Sequence, residues 1–154
     1  MEYPYLPKGR TIQYVPKDNP FMQEAYKISI ASGCKFQPTG ANIVKNGRVI
    51  SLGTNAGELQ DVCPRVEAKS PTGTDYHLCK DICKQVSHAE VAAINNTKEE
   101  LNGADIYLYG HWWICENCWD AIIRAGIKMN ANKKLAISFI CNINPSLQRY
   151  EEIF

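Results

Sequence analysis

The chain has 154 residues, enough for one domain with a true core. Hydrophobic residues make up 45% and charged residues 21%, which excludes a disordered chain. Seventeen basic and sixteen acidic residues leave a net charge of +1, so no basic stripe marks a binder of extended nucleic acid, and no apolar run approaches the ~18 residues of a membrane span.

Residues 1–19 are rich in proline, lysine and tyrosine and read as an irregular arm of a single domain spanning 1–154. Met1-Glu2-Tyr3-Pro4 shows no basic stretch followed by an apolar one, so a cytoplasmic location is expected. Asn19 and Pro20 form a helix start, the first as N-cap and the second at the first helical position. Phe21, Met22, Ala25 and Ile28, with Ala31 or Ser32, give that helix an inner face, and Gly33 ends it. Residues 40–45 and 48–53 flank Asn46-Gly47, a strong hairpin signal. A long polar segment follows over 56–77. In a compact domain such a loop is functional or pinned. A short helix is expected over 78–86 and a second from His88 to about Lys98. Ala104 to Tyr109 alternates as a strand. Cys115 to about Ala125 is expected to be helical, with Gly126 as its C-cap. Leu135 to Cys141 reads as a buried strand and Pro145 to Phe154 as a short helix, while 127–133 stay open between strand and loop. The element order predicts an α/β domain with one mixed sheet between helices.

Seven cysteines are many for such a chain, and their odd number argues against a disulfide framework. Their spacing points to metal. Cys115 and Cys118 form Cys-x-x-Cys at a helix start, where two sulfurs reach one ion and free N–H groups favour thiolate. His88 stands at another helix start and supplies a third ligand, which leaves the fourth position of a catalytic zinc to water. Glu90 cannot easily share the ion with His88, but it can reach the water and a substrate nitrogen. The competing reading is a four-ligand structural site with His111 as the extra ligand.

Ser87-His88-Ala89-Glu90 and Ile114-Cys115-Glu116-Asn117-Cys118 resemble the zinc-dependent cytidine/deoxycytidylate deaminase superfamily, whose pattern is His-x-Glu followed by Pro-Cys-x-x-Cys. Thr39 to Asn55 looks like the family's first hairpin, and Ala125-Gly126-Ile127 is also typical. The resemblance runs from about Pro20 to Ile140. It implies a three-layer cytidine-deaminase-like fold, one catalytic zinc on His88, Cys115 and Cys118, and Glu90 as acid/base. Ile114 replaces the family's proline, which shapes only the entry turn. Thr54 and Ala56 stand where deoxycytidylate deaminases usually have Tyr and Gly.

A histidine as first ligand resembles the deoxycytidylate branch, so the expected reaction is dCMP to dUMP plus ammonia. The alternatives are a deaminase of another amino-base, nucleoside or polynucleotide, or a non-catalytic zinc-stabilised module, against which an intact Glu90 argues. The expected partner is a small nucleotide, and a homo-oligomer is expected. Asn42, Asn55 and the backbone at Ala89 are expected to contact substrate by resemblance. His111 and Trp113 border the metal loop: His111 is set to bond substrate or only its own loop, and Trp112 and Trp113 to wall the base or pack in the core. Cys34, Cys63, Cys79 and Cys83 frame the long loop and are either buried thiols or a second, structural zinc site, with His77 as a substitute ligand. Arg65 and Lys69 lie in that loop and read first as solvated charges, second as contacts to a 5′-phosphate.

Overall fold

The computed structural model of the chain describes residues 5–10, 12–13, 15–16, 18–58, 60–71, 74–111, 113–127 and 135–137. In chain order the elements are β1 (Ile12–Gln13), α1 (Pro20–Ile30), β2 (Gly40–Lys45), β3 (Arg48–Thr54), α2 (Pro64–Glu67), α3 (Tyr76–Asp81), α4 (Ala89–Asn95), β4 (Asp105–Tyr109), α5 (Glu116–Arg124) and β5 (Leu135–Ile137). The sheet runs β1-β5-β4-β2-β3. β2 is antiparallel to both β3 and β4, whereas β4, β5 and β1 run parallel, so the sheet is mixed.

Local chemistry explains the elements the sequence announces. Asn46 and Gly47 both take positive φ, 52° and 72°, as a two-residue hairpin turn demands. Asn19 caps α1 through its Oδ1, which accepts from the amides of Phe21 at 3.0 Å and Met22 at 3.2 Å. That helix buries Met22, Ala25 and Ser29, with Ile28 only partly covered. Small residues face the sheet because α1 lies almost on β2. A Cβ on Gly40 would run into the Ala25 carbonyl and come within 2.7 Å of the Ser29 amide.

The alternation of β2 and β4 divides the interior. Ala41, Ile43, Ile106 and Leu108 join Trp119 and Ile122 of α5 and Ala89 and Ala93 of α4 in the larger core. Tyr109 packs with Met22 and Ala25 of α1 on the opposite face. The result is three layers, α1, sheet, then α4 with α5. Each large aliphatic or aromatic side chain buried there stabilises the fold by about 1.5–3 kcal/mol.

Three expectations shift. β1 lies inside the segment expected to be irregular and pairs with β5, Ile12 opposite Leu135. α3 begins and ends earlier than expected, bracketed by Asp75 and Lys84, both at positive φ (56° and 52°). α4 ends at Asn95, short of Lys98. Cys141, residues 128–133 and the expected final helix lie outside the described residues. No described helix is long and apolar enough to cross a membrane.

Candidate active site

α4 and α5 begin alike. His88 precedes α4 with φ −71° and ψ 162°, and Cys115 precedes α5 with φ −69° and ψ 159°. Neither side chain caps its own helix. They meet each other instead. His88 Nδ1 lies 3.4 Å from the sulfur of Cys115 and 3.4 Å from that of Cys118, one turn into α5. Among the described residues these three are the one group of three or more metal-ligating side chains with all ligand atoms within 4.8 Å. Tetrahedral zinc, with sulfur at ~2.3 Å and nitrogen at ~2.0–2.1 Å, would set those atoms about 3.5 Å apart. The donor set and its spacing therefore fit zinc.

The electrostatics agree. The Cys115 thiol is lowered to about 4, first by its hydrogen bond with Cys118 and then by His88. His88 is raised above an ordinary imidazole, chiefly by its bond to Cys115. A proton shared among a thiolate, a thiol and an imidazole is what a metal cation displaces on binding. Glu90 is buried at 5% exposure and is not part of the ligand group. Burial pushes its carboxyl above the usual carboxylate range, against the pull of His88. A carboxyl so held exchanges a proton more readily near neutral pH than an exposed one.

His88, Ala89, Glu90 and Cys115 line one partly open cleft. Phe36, Gln37, Thr39 and Asn55 border it from the hairpin side, Arg65 and Tyr76 from the long loop, and His111 and Trp113 from the loop after β4. His111 and Trp113 pack edge to face with centroids 4.9 Å apart. Burial, then the nearby His88, lowers His111 to about 4, so its imidazole is neutral at physiological pH.

The cytidine and deoxycytidylate deaminase zinc-binding region matches residues 15–131 of the chain. The chain belongs to this deaminase family. ComE operon protein 2 of Bacillus subtilis (strain 168) is 30% identical over 111 residues, 70% of this chain, and the chain spans about half, 54%, of that relative's length. The dCMP deaminase of cyanophage S-TIM5 shares the fold. In its apo form the TM-score is 0.51 at 23% identity, covering 77% of this chain and 94% of that one. In its complex with dCMP and dUMP the TM-score is 0.51 at 24% identity, covering 77% and 79%.

Within the deaminase fold the remaining expected site residues separate. Ala89, Asn55, His111 and Trp113 border the cleft. Asn55 is already engaged: its Oδ1 accepts from the Thr39 amide and its Nδ2 donates to the Gln37 carbonyl, both at 2.9 Å. It ties the hairpin's end to the loop that enters it. Asn42 is a correction. It sits on the α1 face of β2, fully buried, and its Nδ2 donates to the Phe21 carbonyl at 2.6 Å. The strand's alternation turns it away from the cleft. Trp112 lies outside the described residues.

Arg65 is a second correction, since it is buried at 8% exposure in the cleft wall and is not a solvated charge. Lys69 is exposed as expected. Cys34, Cys63, Cys79 and Cys83 all border one cavity beside the cleft. No three of their sulfurs come within 4.8 Å of one another. His77 is exposed and does not line that cavity, so it is not their substitute ligand. Tyr76 of the long loop and Phe36 of the segment before β2 also line the cleft, and nothing in a polar connecting segment signals in sequence which aromatic turns inward.

Proposed function

We propose that the chain removes the exocyclic amine of a cytosine nucleotide by hydrolysis, converting dCMP to dUMP and ammonia. The observation that carries this reading is a buried carboxyl, Glu90, beside a three-ligand set that opens on a cleft. His88, Cys115 and Cys118 would hold a zinc ion, which would supply Lewis-acid activation of water near neutral pH. Glu90 takes a proton from the attacking water and delivers it to the ring nitrogen beside the amine-bearing carbon. The water oxygen bonds to that carbon. Glu90 then passes the second proton to the amine, the C–N bond breaks, and ammonia leaves as the carbonyl forms. Trp113 and His111 offer ring faces and edges to the base, and the backbone at Ala89 offers hydrogen bonds to its edge.

The dCMP reading draws on His88 as first ligand and on the shared fold with a dCMP deaminase. The single domain, a homo-oligomeric cytoplasmic enzyme and a second, structural zinc on Cys34, Cys63, Cys79 and Cys83 belong to the same proposal. The four thiols border one cavity, and a second ion would have to draw them together, since no three of their sulfurs lie within 4.8 Å of one another. The test is ammonia release from a panel of amino-bases, nucleosides and nucleotides by the zinc-loaded protein. The highest kcat/KM is expected on dCMP. Activity confined to guanine or adenosine compounds overturns the choice of base, and inactivity on the whole panel overturns the enzyme reading.

A further inference from the structure

The amine chemistry makes no use of Arg65, yet the structure places this residue with care. Its Nε donates to the Thr74 carbonyl at 2.9 Å and one Nη to the Pro71 carbonyl at 3.5 Å. Its guanidinium carbon lies 4.3 Å from the centroid of the Tyr76 ring. Tyr76 in turn meets the His88 imidazole edge to face, centroids 5.5 Å apart. One aromatic ring thus separates the guanidinium from the first metal ligand, and both line the same cleft.

Arg65 is the one lysine or arginine among the described residues of that cleft. The ion pairs among the described residues engage Lys27, Lys35, Lys45 and Arg48, and none engages Arg65. A guanidinium stays charged at any working pH. Burying one without a carboxylate is costly, and two neutral carbonyls with a ring face answer only part of its charge. The same contacts hold the planar group in one orientation, which lowers the entropic cost of meeting a ligand. What remains is a fixed cation facing a substrate cleft, suited to a phosphate through paired N–H···O bonds.

We infer that Arg65 recognises the phosphate of a nucleoside monophosphate whose base lies beside His88. The inference rests on the proposed deaminase reading for the base alone, and two experiments separate them. The first is steady-state kinetics of the zinc-loaded chain on dCMP and deoxycytidine. In Arg65→Gln the KM for dCMP is expected to rise on the order of 10–100-fold with kcat nearly unchanged. Turnover of deoxycytidine should hardly move, and Arg65→Lys should recover part of the loss because a point charge replaces the fork. Equal losses on both compounds would make Arg65 a brace for its loop and overturn the inference.

The second experiment needs no turnover and no base. Calorimetric titration of 2-deoxyribose 5-phosphate and 2-deoxyribose into the wild-type chain should show binding of the sugar phosphate only. That binding should weaken in Arg65→Lys and vanish in Arg65→Gln. Absence of any preference for the sugar phosphate in wild type overturns the inference even if neither variant folds. Arg65-dependent binding together with inactivity on both cytosine compounds supports the role of Arg65 and overturns the choice of base.

Discussion

Glu90 and His88 stand two residues apart and divide the work by reach. The imidazole turns to the sulfurs of α5, and the carboxyl stays buried beside them, outside the ligand group. Glu90→Gln keeps the side chain's size and removes the proton carrier. Zinc content is expected to match wild type, and the melting temperature should not fall, since a carboxyl that pays for desolvation has become neutral. Turnover should drop by ~10²–10⁴-fold or more. Metal analysis, a thermal melt and a rate on one preparation check all three, and near-normal turnover would remove Glu90 from the chemistry. His88, Glu90, Cys115 and Cys118 were legible in the sequence because each lies in a short motif at a helix start. Asn42 and Arg65 were not. The face of Asn42 depends on strand parity relative to α1, and the burial of Arg65 depends on residues 71 and 74 folding back over it.

The helix that begins just after His88 and carries Glu90 rests on β3 at a point where only glycine fits. A Cβ on Gly53 would run into the Ala93 amide and the Ala89 carbonyl, both backbone groups of α4. Ser51 Oγ ties the same helix down through the Ala93 carbonyl at 2.5 Å. Gly53→Ala should therefore push α4 off the sheet. The expected cost is about 1–3 kcal/mol, roughly 2–4 °C of melting temperature per kcal/mol in a chain of this size. Activity should fall with stability, because the displaced helix moves a metal ligand and the acid/base together; a melt unchanged from wild type would refute this packing argument. The long loop makes the opposite case. Cys79 lies on α3 and Cys83 just beyond it, where its carbonyl receives the Glu58 amide at 2.6 Å. If the four thiols hold a structural zinc, wild type should contain two zinc ions per chain, and Cys79→Ser or Cys83→Ser should contain one. Those variants should melt earlier while the folded fraction keeps its kcat. One zinc in wild type would dismiss the second site. The hairpin was readable from Asn46-Gly47 alone, whereas β1 was hidden, since two residues with a remote parallel partner leave no periodic signal.

The charge of the whole molecule bears on the size of its substrate. Basic and acidic residues nearly cancel. At the hairpin tip, Lys45 and Arg48 are met by Glu100 and Glu99, and on α1 Lys27 is met by Glu24. The buried guanidinium of Arg65 is the cation presented to the cleft by the described residues. An enzyme that reads a polynucleotide gains affinity from many phosphate contacts, and six to ten of them lose ~10³–10⁵ in affinity between 50 and 200 mM salt. A mononucleotide held through one phosphate has no such dependence. The kcat/KM for dCMP is therefore expected to fall by less than about tenfold over that salt range, because one partly buried contact is screened weakly. A short cytosine-containing oligonucleotide should be the poorer substrate at every salt concentration. Steady-state rates on both compounds at 50 and 200 mM salt decide the matter. Preference for the oligonucleotide at low salt, lost steeply as salt rises, would mean that a basic surface outside the cleft engages an extended strand and that the single phosphate at Arg65 is not what selects the substrate.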